Sequence, residues 1–334
     1  MRAAVLSGGR FSIETLPDPT PGRGDAIVRV SACGICGTDY GIFANRLLPD
    51  GVVLGHEIAG EIVALHDGGR EWREGDRVAA IPLPWCGRCE SCSRGQENLC
   101  QAALTYMVGC STAPGGLAEF VRIPTSSLRR LPERMSVRHG AVVEPAAVAM
   151  AAVRLGGIHP GTRVGVIGLG PLGLFAGLTA RLEGALVFGV DERPTRVACA
   201  RELGLGAFEA DGLATERIRE LTLGGPEVVI EASGKPEAIE MAGQMARLGG
   251  RVVLVASYHA AAEIRPGHWL QRGVSLLPSI AYGPGDYDAA LSLVTSGRLD
   301  VARLVTSVHP LDDVQTVFER FTTQNDDIKL LISP

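Results

Sequence analysis

Short apolar runs broken by glycine and proline fill the chain before about Ala146, among them Ala26 to Val30, Glu57 to Leu65, Arg77 to Ile81 and Ala118 to Ile123. Many short strands separated by turn residues predict a β-barrel-like unit. After Ala146 the texture changes. An apolar strand from Arg163 to Gly168 precedes a helix from about Leu172 to Leu182, and further strands are expected at Ala185 to Val190, Glu227 to Ala232, Arg251 to Ala256 and Val274 to Ile280. Several of these are continuous Val, Ile and Leu runs rather than alternating ones, the pattern of parallel strands covered by helices on both faces. Gly249-Gly250 marks a turn before one of them. From roughly Tyr287 the chain shows a helical segment around Ala289 to Ser296, an amphipathic one near Leu311 to Phe321 and a last apolar stretch, Ile328 to Ile332. The expected class is α/β, and no internal repeat or low-complexity linker interrupts it.

The strand at Arg163 runs into Gly168-Leu-Gly170-Pro171-Leu172-Gly173, a Gly-x-Gly-x-x-Gly turn that opens a helix. Such a turn lets the backbone approach a pyrophosphate, and the N-terminus of the helix begun by Pro171 and Leu172 favours anions. Asp191 ends the next strand, about 20 positions on, where a carboxylate holds the adenine-ribose hydroxyls. Its charge would repel a 2′-phosphate, which favours NAD over NADP, although Arg193 or Arg196 could soften that preference. The plain alternative is an ordinary strand-helix turn.

Four cysteines, Cys86, Cys89, Cys92 and Cys100, stand within one loop. Their spacing suits a closed tetrahedral zinc site. Iron-sulfur ligation shares the spacing of the first three, but the fourth follows seven intervening residues and is succeeded by Gln101 rather than proline. Disulfides are disfavoured in a chain without a secretory signal. A nucleic-acid ribbon is disfavoured because Arg88 and Arg94 are offset by Glu90 and Glu97. Upstream Cys36 and His56, and downstream Glu144, offer a thiolate, an imidazole and a carboxylate, the ordinary ligands of a catalytic zinc with an open position. Thr38 could take a proton from a zinc-bound alcohol. Each residue has a plainer reading: Cys33-x-x-Cys36 as a dithiol or Cys33 as core, His56 as a packed or surface side chain, Glu144 as a helix-start carboxylate and Thr38 as a turn residue.

Composition narrows the classes. The chain has 334 residues, of which 46% are hydrophobic, so it has room for two cores. A net charge of -5 and a pI near 5.9 argue against nucleic acid or other polyanions as partners. No stretch has the length of a membrane helix and the N-terminus has no long apolar region, so a cytoplasmic protein away from the membrane is expected. Only two lysines occur, Lys235 and Lys329, and all other basic chain positions are arginine or histidine. That removes most Schiff-base chemistry, and Glu231, four residues before Lys235, excludes the Tyr-x-x-x-Lys pair of short-chain dehydrogenases.

Taken together, the sequence resembles the zinc-dependent medium-chain alcohol dehydrogenase family over nearly its whole length. The resemblance is carried by Cys33-Gly-Ile-Cys36-Gly-Thr38-Asp39, Gly55-His56-Glu57, the four-cysteine lobe, Gly115-Gly116-Leu117-Ala118-Glu119-Phe120 and the glycine turn. It implies a GroES-like β-barrel catalytic domain at 1–146 with a structural-zinc lobe at about 84–102, a Rossmann NAD-binding domain of doubly wound parallel sheet at 147–284, and a return to the catalytic domain at 285–334. Cys36 and His56 then match catalytic zinc ligands, Asp39 matches the carboxylate that orients the histidine, and Glu57 and Glu144 compete as a further ligand. The Glu144-Pro145 pair is similar to the polyol and threonine dehydrogenase branch. Many relatives carry a histidine where this chain has Tyr40 or Gly41, so the proton would leave by Thr38, the nicotinamide ribose and water.

The implied activity is hydride transfer between a secondary alcohol (a polyol, sugar or amino alcohol) and NAD to give a ketone. Two zinc ions per chain and a homodimer or homotetramer come with it. The coenzyme would lie on Gly168, Gly170, Pro171, Leu172, Gly173, Asp191 and Arg196. Two readings compete: a zinc-free medium-chain reductase of activated double bonds or quinones, and a non-catalytic NAD-binding protein. The substrate pocket would draw on scattered positions such as Tyr40, Phe43, Trp85, Tyr106 and His268, any of which could be core instead.

Overall fold

Asp25–Gly34 is the longest strand of the computed structural model, and the elements of the first candidate site are registered on it. It pairs antiparallel with Glu57–Leu65, Phe120–Pro124 and Lys329–Ser333. The register sets Gly34 opposite both Glu57 and Leu331, so three distant stretches of sequence meet at one strand end. The sheet runs Val305–Pro310, Lys329–Ser333, Asp25–Gly34, Glu57–Leu65, Arg77–Ala80, Leu128–Arg130, with Phe120–Pro124 joining off this path. A smaller antiparallel sheet, Arg10–Thr15, Arg2–Ser7 and Val52–Val53, lies in the same unit. Val28, Ile58, Ile62, Leu117, Val121, Leu330 and Ile332 belong to the core it shares with the large sheet.

The structure describes residues 1–66, 71–321 and 327–334. They divide into Met1–Glu144 with Leu291–Pro334, and Pro145–Ala290. In the second unit all six strands are parallel, in the order Gly206–Glu209, Leu186–Asp191, Arg163–Ile167, Val228–Glu231, Arg251–Leu254, Ser275–Pro278. Numbered along the chain this is 3-2-1-4-5-6, the doubly wound arrangement expected from the continuous apolar runs. Its order reverses between Arg163–Ile167 and Val228–Glu231, and dinucleotides bind outside the carboxyl ends of the strands at such a reversal.

Strand and helix ends differ from expectation where local contacts override pattern. Ala118 makes only an isolated bridge to Ala3, so that strand begins at Phe120. The helix expected around Ala289 begins at Pro284, because Asp286 in its first turn accepts the Gly283 N–H at 2.9 Å and caps it.

Helix Gly37–Asn45 carries Thr38 and Asp39 and is anchored by aromatic packing. Phe43 meets Phe318 at 5.3 Å between ring centroids, and Phe318 meets Phe11 at 4.7 Å. Tyr40 stacks on Phe321 at 5.4 Å. Tyr40 and Phe43 therefore pack against the hydrophobic core. Because Phe318 is fully buried, Phe318→Ala should lower stability by about 3–5 kcal/mol. Guanidinium unfolding of the two proteins side by side would measure it.

Candidate active site and metal centres

Cys36 caps helix Gly37–Asn45, and its carbonyl accepts the Tyr40 N–H at 3.1 Å. Its own N–H donates to Asp39 Oδ2 at 3.0 Å, while Asp39 Oδ1 lies 3.2 Å from His56 Nδ1. One fully buried carboxylate thus holds the backbone of one candidate ligand and the ring of the other. With Nδ1–H donating to Asp39, the Nε2 lone pair of His56 is left for a cation.

His56 is placed by the residue before it. Gly55 adopts φ +97°, a conformation that L side chains rarely tolerate, and a Cβ there would come within 2.6 Å of Cys33 Sγ. The Gly115-Gly116-Leu117 motif grips this turn: Gly116 N–H donates to the Gly55 carbonyl at 2.8 Å and Leu117 N–H to the Leu54 carbonyl at 3.0 Å. Cys33 is fully buried beneath it, and burial pushes its thiol well above the ordinary range, which suits packing and not dithiol exchange.

Donor atoms of Cys36, His56 and Glu57 lie within 4.8 Å of one another, and so do those of Asp39, His56 and Cys110. A thiolate, an imidazole and a carboxylate at this spacing fit a zinc ion. Glu57 is not idle there. Lys329 Nζ donates to its Oε1 at 2.6 Å and to the Ile35 carbonyl at 2.8 Å, and also contacts Oε2. Gly34 makes the space, since a Cβ at that position would come within 1.9 Å of the Glu57 carboxylate. Burial is the largest single influence and would lower the Lys329 pKa, but the charge and hydrogen bond of Glu57, with the nearby charges of Cys36 and Asp39, together outweigh it and hold the ammonium above its ordinary value. His56 behaves alike: burial disfavours the charged ring, Asp39 and Cys110 together favour it more, and the balance is upward.

Glu144 is buried in the first turn of helix Val143–Leu155 and belongs to neither cluster. Thr38 is half-buried in the first turn of helix Gly37–Asn45. Two residues at this centre escape sequence reading. Cys110 places its Sγ 3.1 Å from His56 Nδ1, and burial pushes its thiol up to about 11. No spacing rule links it to His56. Lys329 did leave a signal, a lone lysine in an otherwise apolar strand.

The four-cysteine lobe is a separate cluster. Cys89 caps the turn Glu90–Ser93 and Cys100 caps Gln101–Thr105, so two short helices turn the sulfurs inward. Cys86 Sγ lies 4.0 Å from Cys92 Sγ and 3.6 Å from Cys100 Sγ, and all four sulfurs fall within 4.8 Å of one another. Zinc-sulfur bonds of about 2.3 Å give a tetrahedron with edges of about 3.8 Å. A disulfide would need about 2.05 Å. Backbone N–H groups of Arg88 and Cys89 draw the Cys86 thiol down to about 6, which favours the thiolate a metal ion needs.

In the second unit Gly168 has φ +85° and donates its N–H to the Val190 carbonyl at 2.9 Å. Gly170 caps helix Pro171–Leu182, with Pro171 in the first position and Leu172 after it, and a Cβ on Gly173 would strike the Gly168 carbonyl at 1.8 Å. Asp191 Oδ2 accepts the Leu169 N–H at 2.7 Å and Oδ1 the Arg193 N–H at 2.8 Å. Each oxygen keeps a further lone pair, enough for two ribose hydroxyls. Arg196 Nη1 stands 3.7 Å from Asp191 Oδ2 and flanks Gly170. Of the other expected pocket residues, Tyr106 is exposed and His268 sits beside Glu240 at 3.9 Å on the nucleotide unit.

Residues 22–133 match the alcohol dehydrogenase GroES-like domain and residues 171–296 the zinc-binding dehydrogenase domain. Sorbitol dehydrogenase of Bacillus subtilis (strain 168) is 30% identical, over 100% of this chain and 97% of its own length. The chain belongs to the zinc-dependent medium-chain alcohol dehydrogenase family. A dehydrogenase from Sinorhizobium meliloti 1021, described as zinc-binding and solved with NADP, superposes with a TM-score of 0.91 at 31% identity, covering 100% of this chain and 99% of its own. The 2R,3R-butanediol dehydrogenase of Bacillus subtilis gives 0.88 at 28% identity, again over 100% and 99%.

Lys329→Met would leave the Glu57 carboxylate buried without its counter-charge, and should cost about 3–5 kcal/mol. Because the Lys329 pKa is raised in the folded protein, the pair contributes fully below the ordinary lysine value of 10.5 and is lost only as pH climbs through the raised value. The gap in melting temperature between wild type and variant is therefore expected to stay level from pH 7 to about 10.

Proposed function

We propose that this dehydrogenase oxidises a secondary alcohol of a polyol, sugar or amino alcohol to a ketone, with NAD as acceptor and two zinc ions per chain. The observation that carries the reading is Asp39, whose two oxygens hold Cys36 and His56 so that a sulfur and a ring nitrogen converge beside Glu57. When bound, zinc supplies a Lewis acid for the substrate hydroxyl and NAD a hydride acceptor. Cys36 and His56 would hold the first, with Glu57 or Glu144 completing the set. Thr38 would take the hydroxyl proton and pass it toward water. Asp191 would accept the adenine-ribose hydroxyls, and its charge favours NAD over NADP.

The names of the Bacillus subtilis relatives, sorbitol and 2R,3R-butanediol dehydrogenase, support a substrate with more than one hydroxyl. The largely exposed strand Ser275–Pro278 at the edge of its sheet supports a homodimer or homotetramer. A thiol-rich chain whose zinc sites require reduced cysteine supports a cytoplasmic setting.

Elemental analysis of the purified protein should find two zinc ions per chain, falling to one in Cys36→Ser and to one in Cys92→Ser. Asp39→Ala, which removes the carboxylate that holds both the His56 ring and the Cys36 backbone, should lower NAD turnover on a polyol panel by about 10–100-fold. Wild-type turnover in Cys36→Ser would remove zinc from the chemistry. Coenzyme choice is tested by Asp191→Ser. The variant should lose NAD affinity and narrow the NAD-to-NADP ratio in kcat/KM, while an unchanged ratio would show that the carboxylate does not select.

A further inference from the structure

Three carboxylates among the described residues are completely buried: Asp39, Glu57 and Glu231. The first two belong to the metal centre. Glu231 ends strand Val228–Glu231, the neighbour of Arg163–Ile167 on the far side of the order reversal, in register with Ile167 and Leu254. Its Oε1 accepts the Ser233 N–H at 2.8 Å and also the Ser233 hydroxyl, and its Oε2 accepts the Tyr258 hydroxyl. Tyr258 lies four residues beyond the next strand, Arg251–Leu254. The two loops touch closely, since a Cβ on Gly234 would come within 2.9 Å of the Ser257 carbonyl.

A carboxylate buried at a sheet end is costly unless its oxygens are filled by donors, and once filled the network is stiff. Here the donors come from two loops at the carboxyl ends of adjacent strands, so the network ties those loops together. Burial, and then the hydrogen bond to Glu231, hold the Tyr258 phenol above its ordinary range, so it remains a donor. In a doubly wound sheet the two halves each take one mononucleotide. The glycine turn and Asp191 belong to the half that takes adenosine. Glu231 and Tyr258 stand at strand ends of the other half, which receives the nicotinamide mononucleotide.

We propose that Tyr258, tied to Glu231, is a positioning residue for the nicotinamide ring of the coenzyme: the tie preforms the segment 255–258 against the end of strand Val228–Glu231. The proposal rests on the coenzyme reading above, and the two fail in different ways.

The test uses the zinc-loaded full chain and two ligands, NADH and ADP-ribose, the second of which lacks only the nicotinamide. Wild type should bind both. In Tyr258→Phe, which deletes one hydroxyl, the Kd for NADH should rise about tenfold while that for ADP-ribose stays within about twofold. Glu231→Leu cuts the same tie from its other end and should show the same split, which keeps the question decidable if either variant folds poorly. Equal losses for both ligands, or no loss for NADH, would overturn the proposal. Failure of wild type to bind NADH would overturn the coenzyme reading itself, and the proposal with it.

Discussion

The carboxylate of Asp39 is the contact on which the reactive centre depends. It is completely buried, so both oxygens need donors, and the two it finds are the backbone of Cys36 and the ring of His56. That requirement couples a helix start to a strand start that lie far apart in sequence. It also fixes which nitrogen of the imidazole faces outward. Without Asp39, the Nδ1 of His56 would be left with the Cys110 thiol alone, and the Cys36 sulfur would sit on an unanchored helix cap.

Around that contact, three short motifs act as one physical object. The Cys33-to-Asp39 stretch supplies the helix cap and the carboxylate. Gly55 supplies a left-handed backbone that turns His56 inward, and Gly115-Gly116-Leu117 clamps the turn by hydrogen bonds to Leu54 and Gly55. Cys33 fills the space beneath Gly55 that any side chain would need. The C-terminal strand adds a further constraint from the opposite end of the chain. Lys329 neutralises Glu57 two strands away, so a carboxylate can wait beside the cysteine and histidine without the full penalty of an unpaired buried charge.

The nucleotide unit uses its acidic residues in a comparable manner. Asp191 already accepts two backbone N–H groups from the glycine turn and the following loop, so the residue that would recognise ribose also braces the turn that would receive the pyrophosphate. Glu231 braces the next pair of loops. Both sit at carboxyl strand ends, where parallel strands stop and the backbone must find partners outside the sheet.

Much of this was legible in the chain itself, for reasons that are local. Continuous Val and Ile runs are a property of buried parallel strands, the glycine turn must lie where a strand becomes a helix, and four cysteines at short spacing can reach one cation without help from the rest of the fold. The cluster of Cys36 and His56 could be suspected for their residue types alone. What only the tertiary structure decided are the meetings that no short spacing links: Lys329 against Glu57, Cys110 against His56, Tyr258 against Glu231, and the half-buried Tyr40 and Phe43 against Phe321 and Phe318. Sequence pattern reports the period of a strand or helix and the reach of a short loop. It carries neither the register that brings Lys329 to Glu57 across 272 residues nor the loop paths that bring Cys110 to His56 and Tyr258 to Glu231.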